Sequence, residues 1–135
     1  SLHDALPIWT PKQLNDLSTF PCLVIKERDH PFGIWQMRNK EGAHSIKVTG
    51  PLSSNHGEVV HQWCLDGQGI ALRSWWDVCD NIASGNLIHI LPEYYQPANI
   101  WAVYVSRLAT SAKIRITVEY LRRYFAENYP KFTLE

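Results

Sequence analysis

The chain has few of the residues from which catalytic or metal-binding signatures are built. Its 135 residues include only 3 cysteines, Cys22, Cys64 and Cys79, without the CxxC spacing of a zinc ribbon or redox pair. Each lies in an apolar segment, which predicts reduced thiols in a cytosolic protein. Neither sign of charge is in excess, since 13 Lys plus Arg balance 13 Asp plus Glu. Without a basic stripe to neutralise a run of phosphates, direct binding of nucleic acid by this piece is not expected. The densest positive cluster, Lys113, Arg115, Arg122 and Arg123, reads as the solvated face of a helix. No apolar run approaches the ~20 residues that cross a bilayer, and no basic segment leads into an apolar export core. Membrane association is therefore not expected.

The polar residues do not assemble into a reaction centre either. Gly67-Gln68-Gly69 lacks a third glycine and follows a helical pattern instead of a strand, so it is not a dinucleotide fingerprint. His61 and Cys64 are spaced to share a helix face with His56 nearby, as some metal ligands do. No further ligand pair at a matching spacing joins them, and no metal is expected. A Cys–His nucleophile needs a stabilised thiolate and an orienting group, whereas Cys64 falls on the apolar stripe of its helix. Glu58, Asp77, Asp80 and Glu93 are scattered over different elements. The sequence therefore predicts no catalytic residue and no cofactor.

What the chain does have is apolar and aromatic mass: 45% apolar residues, with 6 Trp and 6 Tyr, enough for one domain with a modest core. Thr10-Pro11-Lys12-Gln13 predicts a capped short helix to about Ser18. PCLVI (21–25) predicts a strand, KERDHPFG a polar loop, and IWQMR and HSIKVTG two strands around the turn Asn39–Gly42. Asn55 is placed to cap a helix with Glu58 answering it, and Val59, Val60, Trp63 and Cys64 form its apolar face. GIAL predicts a buried strand, Trp75–Ala83 a second helix stopped at Gly85, and LIHIL and IWAVYV two more strands, the first with a half-exposed His89. Ser111 caps a long helix ending before Pro130, with Ile114, Val118, Leu121 and Phe125 on one stripe widened by Ile116, Tyr120 and Tyr124. Helices alternating with short apolar strands predict an α/β fold. No second layer for all of the last stripe is evident in the chain.

Two places suggest a ligand. Ser53-Ser54-Asn55 at a helix start offers hydroxyls beside free N–H groups, a cradle for an anion or carboxylate, as well as an ordinary cap. Trp35, Trp63, Trp75, Trp76 and Trp101 are spread over several elements and read mostly as core or interface filling; alternatively, Phe32 and Trp35, which flank the turn at Gly33, wall a pocket.

Residues 1–8, SLHDALPI, back-translate without a break into codons resembling the end of a common sequencing adapter. The expectation is that biological sequence starts at Trp9, that residues 9–130 form the domain, and that 131–135 are a tail.

The order and spacing of PCLVIKERDHPFGIWQM, the Asn55–Gly57–Glu58 helix start, GQGIALRSWWDV, ASGNLIHILPEY and IWAVYVSR resemble the C-terminal effector-binding domain of LysR-type transcriptional regulators, over Trp9 to Pro130. The resemblance implies one subdomain of a type II periplasmic-binding-protein-like fold plus a C-terminal helix. It also implies a small-molecule effector in a cleft, and DNA binding by an N-terminal winged helix-turn-helix that lies outside this chain. Full-length members are usually homo-oligomers. By position, the effector-binding candidates are Ser53, Ser54, Asn55 and His56, with Phe32 and Trp35. Many members have proline near Arg73 or Ser74 and where Val105 stands. Here Arg73 can pair a carboxylate bidentately if it faces the cleft, or remain a surface arginine. The alternatives are a lobe of a periplasmic solute-binding protein, and a small hydrolase using Cys64 or a histidine.

Overall fold

The computed structural model describes residues 10–108 and 110–130. The suspected adapter segment 1–8 and the tail 131–135 lie outside them. The chain divides into two compact units between Ala98 and Asn99.

The first unit is organised around β1 (Cys22–Ile25). Its neighbours are β4 (Ser53–Ser54) and β5 (Ile70–Ala71), both parallel to it, in the order β4-β1-β5. Val24 pairs with Ser53, and Cys22 with Ile70. Parallel strands need a crossover, and α1 (Gly57–Leu65) supplies it between β4 and β5. A central parallel strand is covered on both faces, which explains why CLVI is apolar without alternation. Leu23, at 1% exposure, and Val60, at 0%, are among the most deeply buried side chains.

β2 (Ile34–Asn39) and β3 (Gly42–Lys47) form an antiparallel hairpin. Trp35 and Met37 are buried while Ile34, Gln36 and Arg38 face out, the alternation expected of a one-sided sheet. Trp35, Met37, Ile46 and Val48 join Leu14, Leu17, Cys22 and Val24 in the core.

The first helix differs from expectation. Instead of a turn capped at Thr10, a 3-10 helix spans Leu14–Ser18 with Gln13 before it. Asp16 fixes this start, because its Oδ2 accepts from the Lys12 and Gln13 backbone N–H groups at 2.9 and 3.1 Å. Leu14 and Leu17, three apart, then point together into the core.

α2 (Trp75–Ala83) has the expected bounds. Its end is a Schellman turn: Asn86 N donates to Asn81 O at 2.9 Å and Gly85 N to Ile82 O at 3.1 Å, with Gly85 at φ 82. LIHIL is not a strand. Leu87 N also turns back onto Asn81 O at 3.0 Å, and Leu91 has φ 48, so neither end of the segment continues as extended ladder. Instead Tyr95 bridges Arg38 on the edge of β2. His89 is exposed, its ring 6.0 Å from that of Trp75.

In the second unit IWAVYV is not a strand either. Trp101 is 77% and Val103 91% exposed, and no described residue forms a backbone ladder with this segment. An extended sequence becomes a strand only when a neighbour accepts its backbone. A short 3-10 turn at Ser106–Leu108 follows, then α3 (Ala112–Asn128). Ser111 sits at its N-cap, as expected. Ile114, Val118 and Phe125 are half-buried, while Ile116, Tyr120, Leu121 and Tyr124 are exposed. Tyr120 stacks on Tyr124 at 6.4 Å, and Phe125 lies 5.8 Å from Tyr129.

Candidate functional site

The three parallel strands end side by side, and their carboxyl ends carry the polar residues that stand out in the sequence. β4 runs into Asn55 and His56, β1 into Lys26, and β5 into Arg73 and Ser74. In open α/β sheets this edge is the usual place for a ligand, because strand ends, loops and helix starts converge there. Lys26 N donates to Ser54 O at 2.8 Å, which ties two of these ends together.

The helix start differs from expectation in one respect. α1 has His56, not Asn55, at its N-cap, and the His56 side chain makes no capping bond. Ser54 does the local work: its Oγ accepts from His56 N at 3.0 Å, a serine turn that offers an alternative to the helical pattern. Asn55 lies within that turn. Ser53, Asn55 and His56 are exposed and Ser54 is half-buried. The four residues are consecutive from β4 to the N-cap of α1.

Arg73 approaches the same helix start. A Cβ added at Gly57 would stand 2.6 Å from Arg73 Nη1 and 3.2 Å from its Cζ. The guanidinium therefore occupies the space where any other side chain at the first residue of α1 would begin. It is not a free surface arginine. Its Nε and Nη2 donate to Asp77 Oδ2 at 2.9 and 2.7 Å, and the two side chains are 18% and 30% exposed. His61 Nδ1 lies 3.3 Å from the same oxygen, and His61 Nε2 is 3.0 Å from Asn81 Oδ1.

The aromatic pair is separated. Trp35 belongs to the core at 9% exposure, because residues 35 and 37 face inward on β2. Phe32 is 60% exposed, its ring centroid 5.6 Å from Lys26 Nζ. Lys26 is a candidate that sequence reasoning missed. It looked like the first of several loop charges in KERDH, and only the strand register sets it beside Ser54.

Burial disfavours the thiolate at Cys22 and Cys64. Cys22 is fully buried and burial pushes its thiol up to about 11. Burial also raises Cys64, against smaller opposing effects from the Ala71 backbone and the Arg73 charge, and its Sγ lies 3.6 Å from Gly69 O. A thiol kept neutral beside a carbonyl is the opposite of what cysteine catalysis needs. His61, the other half of that reading, is engaged by Asp77 and Asn81. Among the described residues, no three His, Cys, Asp or Glu come together in a manner that could hold a metal.

Comparison with known proteins fits this geometry. Residues 7–126 match the LysR substrate binding domain. Over 125 residues the chain is 82% identical to the HTH-type transcriptional regulator DmlR of Escherichia coli (strain K12), a match covering 93% of this chain and 41% of that protein. Over 111 residues it is 54% identical to the HTH-type transcriptional activator TtdR of the same strain, covering 82% and 36% respectively. The chain thus spans well under half the length of these relatives. Among solved structures, the regulatory domain of AphB from Vibrio vulnificus is similar at TM-score 0.67 and 28% identity, over 90% of this chain and 59% of that one. CrgA, a LysR-type transcriptional regulator from Neisseria meningitidis, is similar at TM-score 0.63 and 27% identity, over 85% and 39%. The relatives are named as transcriptional regulators. On the match from residue 7 to residue 126, the chain belongs to the LysR substrate-binding-domain family and has its periplasmic-binding-protein-like α/β fold.

Proposed function

We propose that this chain supplies one side of the effector cleft of a LysR-type transcriptional regulator, and that the effector is a small anionic metabolite. The observation that carries the reading is the convergence of Ser53, Ser54, Asn55, His56, Lys26 and Arg73 at the carboxyl ends of β4, β1 and β5. Hydroxyls, the start of α1 and two cations make that edge hospitable to negative charge. Phe32 adds an apolar contact at its rim. Trp35 acts from behind, as core that supports β2. None of these residues performs chemistry.

The effector works by population shift. Binding across the cleft favours one arrangement of the regulator, and that arrangement sets the spacing of DNA contacts made by a helix-turn-helix outside this chain. The whole protein is a cytoplasmic homo-oligomer. Segment 100–105 and the exposed face of α3 meet their partners in the other part of the regulatory domain or in a second subunit. Trp101, Val103 and Tyr120 are exposed, as surfaces awaiting a partner are.

The test is a thermal-shift and calorimetric screen of small organic acids, with neutral sugars and amines as controls, against the full-length regulator carrying this domain. At least one acid should raise the melting temperature, since a ligand that binds only the folded state stabilises it. Arg73→Gln and Ser54→Ala should weaken that acid's binding. Preference for amines or neutral compounds, or unaltered binding in both variants, would refute the reading.

A further inference from the structure

We propose that Asp77 is a positioning residue for Arg73: steadied by His61, it holds the guanidinium across the start of α1 at Gly57 and so sets how the binding edge presents its positive charge. The proposal rests on reading that edge as an anion site, and it assigns a task to residues that never touch the ligand.

The geometry links separate elements. Arg73 lies just after β5, His61 on α1, and Asp77 and Asn81 one turn apart on α2. Two donors of Arg73 converge on one oxygen, Asp77 Oδ2, at 2.9 and 2.7 Å. The His61 ring is placed between that oxygen, at 3.3 Å, and Asn81 Oδ1, at 3.0 Å. The four side chains form a chain of contacts from Arg73 through Asp77 on α2 to His61 on α1 and on to Asn81 on α2. An arginine without such a partner samples many rotamers, and a ligand must then order it. Here the ordering precedes the ligand. Gly57 completes the arrangement, since a methyl group there would collide with Nη1.

A simple charge argument and a positioning role predict opposite effects on anion binding. Removing the Asp77 carboxylate deletes a negative charge close to the site, which by Coulomb attraction alone should tighten anion binding. If Asp77 positions Arg73, its removal should weaken binding, because the guanidinium is no longer held. A purely structural staple would lower the melting temperature and leave the direction of this change to charge alone.

The experiment is proton–nitrogen NMR of this chain in an Ile116→Lys, Tyr120→Lys background that keeps α3 from associating, otherwise wild type or with Asp77→Asn or Gly57→Ala, each titrated with inorganic phosphate to concentrations that reveal weak binding. The wild type should show a resolved, exchange-protected Arg73 Nε–H resonance, and phosphate should shift both it and the Gly57 amide. Asp77→Asn should lose the protected resonance and need more phosphate for the same shift. Gly57→Ala should move the Arg73 resonance while the amide spectrum keeps its folded dispersion, because the group displaced is the end of a flexible side chain. An Arg73 resonance unchanged in either variant, or tighter phosphate binding in Asp77→Asn, would overturn the proposal. A wild-type resonance that responds to both substitutions but not to phosphate would leave the positioning role standing and refute the anion site.

Discussion

At the scale of single residues, the tightest constraint is Gly50, which leads from the hairpin back towards β4. A Cβ placed there would fall inside contact distance of the Cys22 backbone carbonyl, and backbone in a central strand cannot step aside. Gly50→Ala should therefore destabilise the domain by about 2–4 kcal/mol, in the range of severe overpacking, measured as a lower denaturant midpoint with unchanged m-value. Gly57 is the contrasting case, since only the tip of Arg73 opposes a side chain there. Sequence reading singled out neither glycine for its packing. A glycine required by close approach from a distant segment looks the same in sequence as one in an ordinary loop. Arg73 was legible as a charge, but not as a residue that shares the Asp77 carboxylate with His61, 12 residues away in the sequence and on another element.

At the scale of elements, the start of the first helix depends on one carboxylate. Hydrogen bonds from the Lys12 and Gln13 backbone hold the Asp16 carboxyl below its ordinary value of 3.8. A group with a lowered folded pKa stabilises the fold above its unfolded pKa, and the contribution fades as pH falls through the folded value. Acid titration below about pH 4 should therefore cost the wild type stability that Asp16→Asn has already lost. The stability curves of the two proteins should converge on acidification; a difference that stays constant down to pH 2 would contradict this role. Helix α2 was legible to its last residue because its cap is local, with Gly85 following within the same turn. LIHIL and IWAVYV were not, although both are apolar and β-prone. Composition marks a segment that suits a strand, but the hydrogen-bonding neighbour decides whether it becomes one.

At the scale of the whole molecule, α3 has no buried residue, and Ile116, Tyr120 and Tyr124 remain exposed along it. Half a cleft holds a ligand weakly, and an uncovered aromatic face invites association. This chain by itself should bind any effector poorly and self-associate in light scattering. Ile116→Lys with Tyr120→Lys should restore a smaller species, since charge on the exposed stripe opposes docking while the helix retains its propensity. A monomeric chain with tight effector binding would contradict both this expectation and the view of the domain as one side of a cleft. The resemblance over Trp9 to Pro130 and the family match over 7–126 nearly coincide. The strongest functional inference therefore depends on many weak signals in a consistent order.

The sequence alone determined the α/β class and the approximate positions of β1, the β2–β3 hairpin, α1, α2 and α3, and its ordered motifs carried the resemblance to the LysR family. The elements follow from local periodicity, caps and turn residues, which act within a few positions of the chain. Tertiary structure decided which polar residues meet. The parallel register of β4, β1 and β5 brought Lys26 beside Ser54, and the packing of α1 near α2 joined His61 to Asp77 and Arg73. It also left LIHIL and IWAVYV outside the sheets. The physical reason is common to all three: a contact between distant residues depends on backbone pairing and packing of the whole chain, and no local pattern encodes it.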